Sequence, residues 1–96
     1  MRLRFRPQVE DEIDDAIRWY EERREGLGWQ FYAQLLDLFA EIERNPSRCP
    51  WVDETFRRCR LDTFPYSVIF DPAAEPVVVY AVTHQSRDPG YWRSRT

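Results

Sequence analysis

Arg58 and Arg60 stand two positions apart in a stretch of period two, so a strand there presents both guanidinium groups on one face. Such a pair can grip phosphate or carboxylate oxygens through charge-assisted hydrogen bonds. It can also sit on a solvated face and pair across strands with Asp62 or Asp71. Phe56 falls on the same side, which argues for a face that is covered or used. His84 is the one histidine. It is suited to moving a proton, or to ordering the residues after it by bonding to backbone or to Asp88. Arg87 and Asp88 can pair with each other. Tyr91 and Trp92 are expected to pin the last residues to the sheet edge, since base stacking would need them exposed. One histidine and two cysteines, Cys49 and Cys59, fall short of the usual four zinc ligands. No zinc site is therefore expected, no cofactor is expected either, and both cysteines are expected to be thiols in a reducing cytosol.

The elements that must position these residues come from a chain of 96 residues, the size of one domain spanning 1–96. A chain this long supports one modest core. No run approaches the ~20 apolar residues of a membrane span, and the Arg-Leu-Arg-Phe-Arg start has no apolar stretch behind it, so a cytoplasmic protein is expected. All 14 basic residues are arginine. Residues 1–43 hold six arginines against eleven carboxylates, whereas residues 44–96 hold eight against six. An acidic first half and a basic second half suggest faces with different partners. The overall charge of −3 argues against a general nucleic-acid binder.

Strict alternation over residues 2–6 predicts a half-buried strand, and Pro7 suits the first turn of a helix. Val9, Ile13, Ala16, Ile17 and Tyr20 then form one apolar stripe that ends at Arg23 and Arg24, with Gly26 as the C′ residue. Trp19 lies off that stripe, at the hairpin edge or on a partner surface. A second helix is predicted from about Gly28 to Glu43, its stripe wide enough for cover on two sides. Asn45-Pro46 ends it, and the short link makes the two helices an antiparallel hairpin. Residues 46–54 read as a loop with an exposed Trp51. Strands follow from Thr55, over Tyr66–Phe70 and over Val77–Val82, the last apolar enough to be central. The order β-α-α-β-β-β predicts an α+β domain, a helical hairpin packed on one face of a mainly antiparallel sheet.

Trp19-Tyr20-Glu21-Glu22, Gly26-Leu27-Gly28, Asn45-Pro46, Arg57-Arg58 to Leu61 and Phe64-Pro65-Tyr66 together resemble the RelE/ParE superfamily. So do Val82-Thr83-His84 and the closing Arg87-Asp88-Pro89-Gly90-Tyr91-Trp92. These are toxins of type II toxin–antitoxin pairs, plasmid stabilisation proteins among them. The resemblance implies a cognate antitoxin as partner, docked over the helical hairpin and the open sheet face by helix-in-groove or strand addition. It leaves two cellular targets. ParE-like members inhibit DNA gyrase by binding, and RelE-like members cut messenger RNA in the ribosome.

The nuclease chemistry needs a base for the 2′-hydroxyl, cations for the phosphorane and an acid for the leaving oxygen. By resemblance Arg58, Arg60, His84 and Arg87 would supply it, with Tyr91 near the late tyrosine but out of register. Ser67 departs from the nuclease pattern, which has arginine directly after the tyrosine of that strand. A hydroxyl cannot replace a guanidinium fork. Ser67 and the acidic balance favour inhibition of gyrase by binding. His84 and the arginine pair favour the nuclease.

Overall fold

The computed structural model describes residues 2–95. Strand β1 (Leu3–Phe5) leads into helix α1 (Pro7–Arg23), and α2 (Leu27–Arg44) returns antiparallel to it. The turn between them is fixed chemically. Gly26 takes φ +86°, which glycine accepts without strain, and Glu21 reaches from α1 to accept the N–H groups of Gly26 and Gly28 at 2.8 and 2.9 Å. Gly26 thus opens α2 and is not the C′ residue of α1, whose cap is Arg24. A Cβ on Gly28 would stand 2.4 Å from the Ile17 carbonyl oxygen, so glycine lets the helices approach this closely.

Strands β2 (Arg57–Arg60), β3 (Tyr66–Asp71) and β4 (Val77–His84) complete a sheet of order β1-β4-β3-β2, antiparallel except for the parallel β1–β4 pair. The fold is the expected one. Cys59, Val68, Phe70, Val79 and Val82 face the helices and meet Tyr20, Phe31, Leu35 and Phe39 there. The other face holds a second cluster of Phe56, Ile69, Ala81 and Trp92. Strand β4 serves both faces because of a bulge at Tyr80: Ile69 pairs with Ala81, and the next residue, Phe70, pairs with Val79. The extra residue turns Tyr80 and Ala81 to the second face and returns Val82 to the first. This explains why the strand is apolar on both sides.

Several expectations change. Cys49 and Cys59 form a disulfide and are not thiols. The loop, partly a 3-10 turn over Pro46–Arg48, folds back along β2 and brings their Cα atoms to 5.2 Å, within bridging range. Arg57 anchors that fold-back by donating to the carbonyls of Ser47 and Cys49 and lying 3.8 Å from the centre of the exposed Trp51 ring. The wide stripe of α2 runs past its cover, leaving Trp29 and Leu36 exposed. Trp92 is held under the second face of the sheet, not at its edge, by the 3-10 turn Tyr91–Arg95.

That turn is fixed at two points. Arg93 bonds Asp53 at 2.6 Å, and with the N–H groups of Phe56 and Thr55 it holds the Asp53 carboxyl down to about 2. Arg95 meets Glu12 of α1 in a two-pronged pair, both bonds 3.0 Å, with the two side chains 9% and 11% exposed. Glu12 also accepts the Val82 N–H at 3.0 Å and the Tyr91 hydroxyl, while Arg95 donates to the Tyr80 carbonyl at 2.9 Å.

Removing one partner of such a buried pair strands the other charge, so Glu12→Ala should cost about 3 kcal/mol in denaturant unfolding. Burial, and then the bond to Glu12, push the Tyr91 hydroxyl up to about 12. The folded chain keeps that proton where the unfolded chain, titrating near 10, has lost it. The contribution of this group is therefore expected to be full below pH 10 and to fall as pH rises towards 12. Tyr91→Phe should make that fall shallower in pH-dependent melting, with Tyr20 and Tyr66, also raised by burial, supplying the remainder.

Candidate functional site

Alternation along β2 places Arg58 and Arg60 on one face, as expected from the sequence, and Arg60, at the edge strand, also borders a hollow lined by Asp37 and Glu41 of α2. In the β2–β3 register they stand opposite Ile69 and Ser67, and Ser67 stands opposite Thr83. The expected cross-strand partners Asp62 and Asp71 are not the residues opposite them. Arg58 and Arg60 make no ion pair among the described residues. Their side chains line a cleft of about 370 Å³ whose other walls include His84, Arg87 and Pro89, with Ser67, Ile69 and Trp92 buried beneath. Four of the five candidate residues therefore share one cleft. Asp62 is the carboxylate among its lining residues and is exposed.

The fifth candidate, Tyr91, does not line the cleft. Its hydroxyl is spent on Glu12 at the β4 edge, and its ring supports Arg87, whose guanidinium carbon lies 3.8 Å from the ring centre. Arg87 rests on Tyr91 and makes no ion pair with Asp88 among the described residues. Asp88 instead accepts the Gly90 N–H at 3.0 Å.

His84 is the last residue of β4. Its Nδ1 accepts the Ser86 N–H at 3.0 Å and lies 2.8 Å from Ser86 Oγ, so it bonds Ser86 and not Asp88. A backbone N–H can only donate, so the neutral ring carries its proton on Nε2. The ring packs edge-on against Tyr66 at 5.2 Å. Burial, and then nearby Tyr20, Asp15 and Glu12, push the Tyr66 hydroxyl up, so it too remains protonated.

His84 and Arg87 also line a second hollow, towards α1, which contains Glu12, Asp15 and Trp19. They stand between a basic and an acidic depression. Glu12, Arg95 and Thr83 were not singled out from the sequence. Glu12 sits in an acidic run that also reads as complement to the α1 N-terminus, so nothing distinguishes it by type. Chemically the cleft can grip a multiply charged anion, but the groups best suited to move protons are bonded elsewhere.

Among the described residues no helix is long and apolar enough to cross a membrane, and no cluster of His, Cys, Asp and Glu is arranged to hold a metal ion. Comparison with curated proteins finds no match. Residues 3–89 match the family model described as ParE toxin of type II toxin-antitoxin system, parDE. Among the described residues the matched span contains both α-helices and all four strands, and it stops just before the Tyr91–Arg95 turn. The chain belongs to this family: it is a RelE/ParE-type toxin of a type II toxin–antitoxin system, the kind of toxin that is paired with a cognate antitoxin.

Proposed function

We propose that this toxin arrests growth by binding DNA gyrase and performs no chemistry of its own. The observation that carries this reading is the state of its proton-transfer groups. His84 Nδ1 is occupied by the Ser86 N–H, and the Tyr91 hydroxyl is bonded to Glu12 and raised to about 12. RNA cleavage needs a free base and acid at the scissile phosphate. Ser67, buried at the cleft floor, stands where a nuclease would place its third-strand arginine. The net charge of −3 also suits a protein target better than a ribosome.

The second reading is a ribosome-dependent mRNA endonuclease. It is favoured by the convergence of Arg58, Arg60, His84 and Arg87 in one cleft. Under either reading the antitoxin covers the helical hairpin. There Phe5, Trp29 and Leu36 stay exposed around an apolar hollow of about 650 Å³, with Glu10 and Asp14 on its walls to receive a basic segment.

After brief induction without antitoxin, label incorporation into DNA should fall before incorporation into protein. An early fall in protein synthesis with DNA synthesis intact would assign the toxin to the nucleases. His84→Asn keeps an acceptor for Ser86 and removes the imidazole. It should leave toxicity within about threefold of wild type, whereas loss of a general base costs a nuclease roughly 10²–10⁴-fold.

A further inference from the structure

We infer that the Cys49–Cys59 bond is a redox lock on a strap that covers the outer edge of β2 and braces the turn beneath the cleft. The lock serves either reading of the target, because it acts on how firmly the cleft is held. The strap runs from Asn45 to Thr55, and Cys49 is the one buried residue in it. Its Pro50 carbonyl accepts the Arg58 N–H at 3.0 Å, and its Val52 N–H donates to the Phe56 carbonyl at 2.8 Å. Trp51 thus pairs with Arg57 as a short extra rung on the last strand of the sheet.

A segment with so little buried surface opens locally unless something else holds it. Here that hold is the sulfur itself. Cys49 is bonded to Cys59 at the core, and the two residues are 3% and 7% exposed. A cross-link across a separation of 10 residues removes much of the freedom the strap would otherwise have. Asp53 carries the effect onward. One of its oxygens accepts the Thr55 and Phe56 N–H groups, and the other holds Arg93 at 2.6 Å. Arg93 belongs to the turn whose Tyr91 supports Arg87 and whose Trp92 lies beneath the cleft. Reduction takes two electrons and two protons from a dithiol, which itself becomes a disulfide, and leaves two cysteine thiols. The strap then rests on non-covalent contacts alone, and the turn loosens with it. Oxidation by a disulfide of the glutathione type restores the lock. The thiols expected in a reducing cytosol and the bridge in the structure are thus two settings of one device.

The test is amide hydrogen exchange on the intact toxin, bridged and after reduction by dithiothreitol, under conditions where exchange proceeds by local opening. Reduction is expected to speed exchange at Val52 and Arg58 about tenfold or more. The Tyr91 and Arg93 amides, which close the terminal turn on the Asp88 and Gly90 carbonyls, should follow. The Gly26 and Gly28 amides, held by Glu21 in the turn between the helices, should not change. Asp53→Asn keeps the acceptor for Thr55 and Phe56 and removes the charge that holds Arg93. In that variant reduction should speed the strap amides and leave those of the terminal turn unmoved. Equal rates at Val52 and Arg58 in the two states overturn the inference. So does a uniform acceleration at every amide, which would make the bond a support of the whole fold. A terminal turn that still responds in Asp53→Asn would contradict the route to the cleft. Equilibration in a series of reduced and oxidised glutathione mixtures should convert the pair from thiols to bridge within the series. A pair that stays bridged, or stays as thiols, in every mixture is no switch and sinks the proposal.

Discussion

An exposed strand edge inside a folded protein must find partners for its backbone groups, and here a single ion pair supplies them. Strand β1 is three residues long and pairs only with Val77–Val79, so β4 runs beyond its neighbour. Glu12 accepts the Val82 N–H and Arg95 donates to the Tyr80 carbonyl, while the two bond each other. Side chains thus stand in for the missing part of β1 and cover the edge that would otherwise recruit another strand. The cleft's position follows from this. Because Arg95 is held at the edge, Tyr91 lies where it can carry Arg87, and Trp92 lies where it fills the second face beside Phe56.

The buried pair is not a cheap way to gain stability, since an apolar pair of similar volume would often do as well. Its value here is positional. An apolar contact would leave the Val82 N–H and Tyr80 carbonyl without partners, whereas Glu12 and Arg95 satisfy both and fix the rotation of the final turn. The result is a molecule with two unlike faces. Acidic side chains and exposed apolar rings surround the helical hairpin, and unneutralised arginines line the cleft on the other face of the sheet. One small toxin can thus meet partners of different chemistry on separate surfaces.

Most of the fold was legible because it rests on local rules. Period-two alternation placed Arg58 and Arg60 on one face, Asn45-Pro46 ended α2, and the apolar run at Val77–Val82 marked a central strand. What escaped depends on contacts between distant residues. The Cys49–Cys59 bridge needs the fold-back of a loop with no periodic pattern. The roles of Glu12 and Arg95 need an edge left open 70 or more residues away from α1. Tyr91 depends on such contacts too: resemblance offered it as a nuclease residue, and its hydroxyl is bonded to Glu12 at the edge. The bulge at Tyr80 left a trace only in hindsight, as buried valines three apart where strict alternation would put them on opposite faces.

The parallel pairing of β1 with β4 has a consequence for how the chain is made. The first strand emerges from the ribosome with no partner, because its neighbour in the sheet is the last strand and their register joins Leu3 to Val77. The helical hairpin can form early from local contacts, but the sheet that covers it cannot close until β4 has emerged. Arg95, 83 residues beyond Glu12, comes still later. Long-range closures of this kind slow folding, and during synthesis they leave the hairpin's inner face bare. The sheet therefore closes only once β4 has been made, and no nascent chain that ends before β4 presents the assembled cleft.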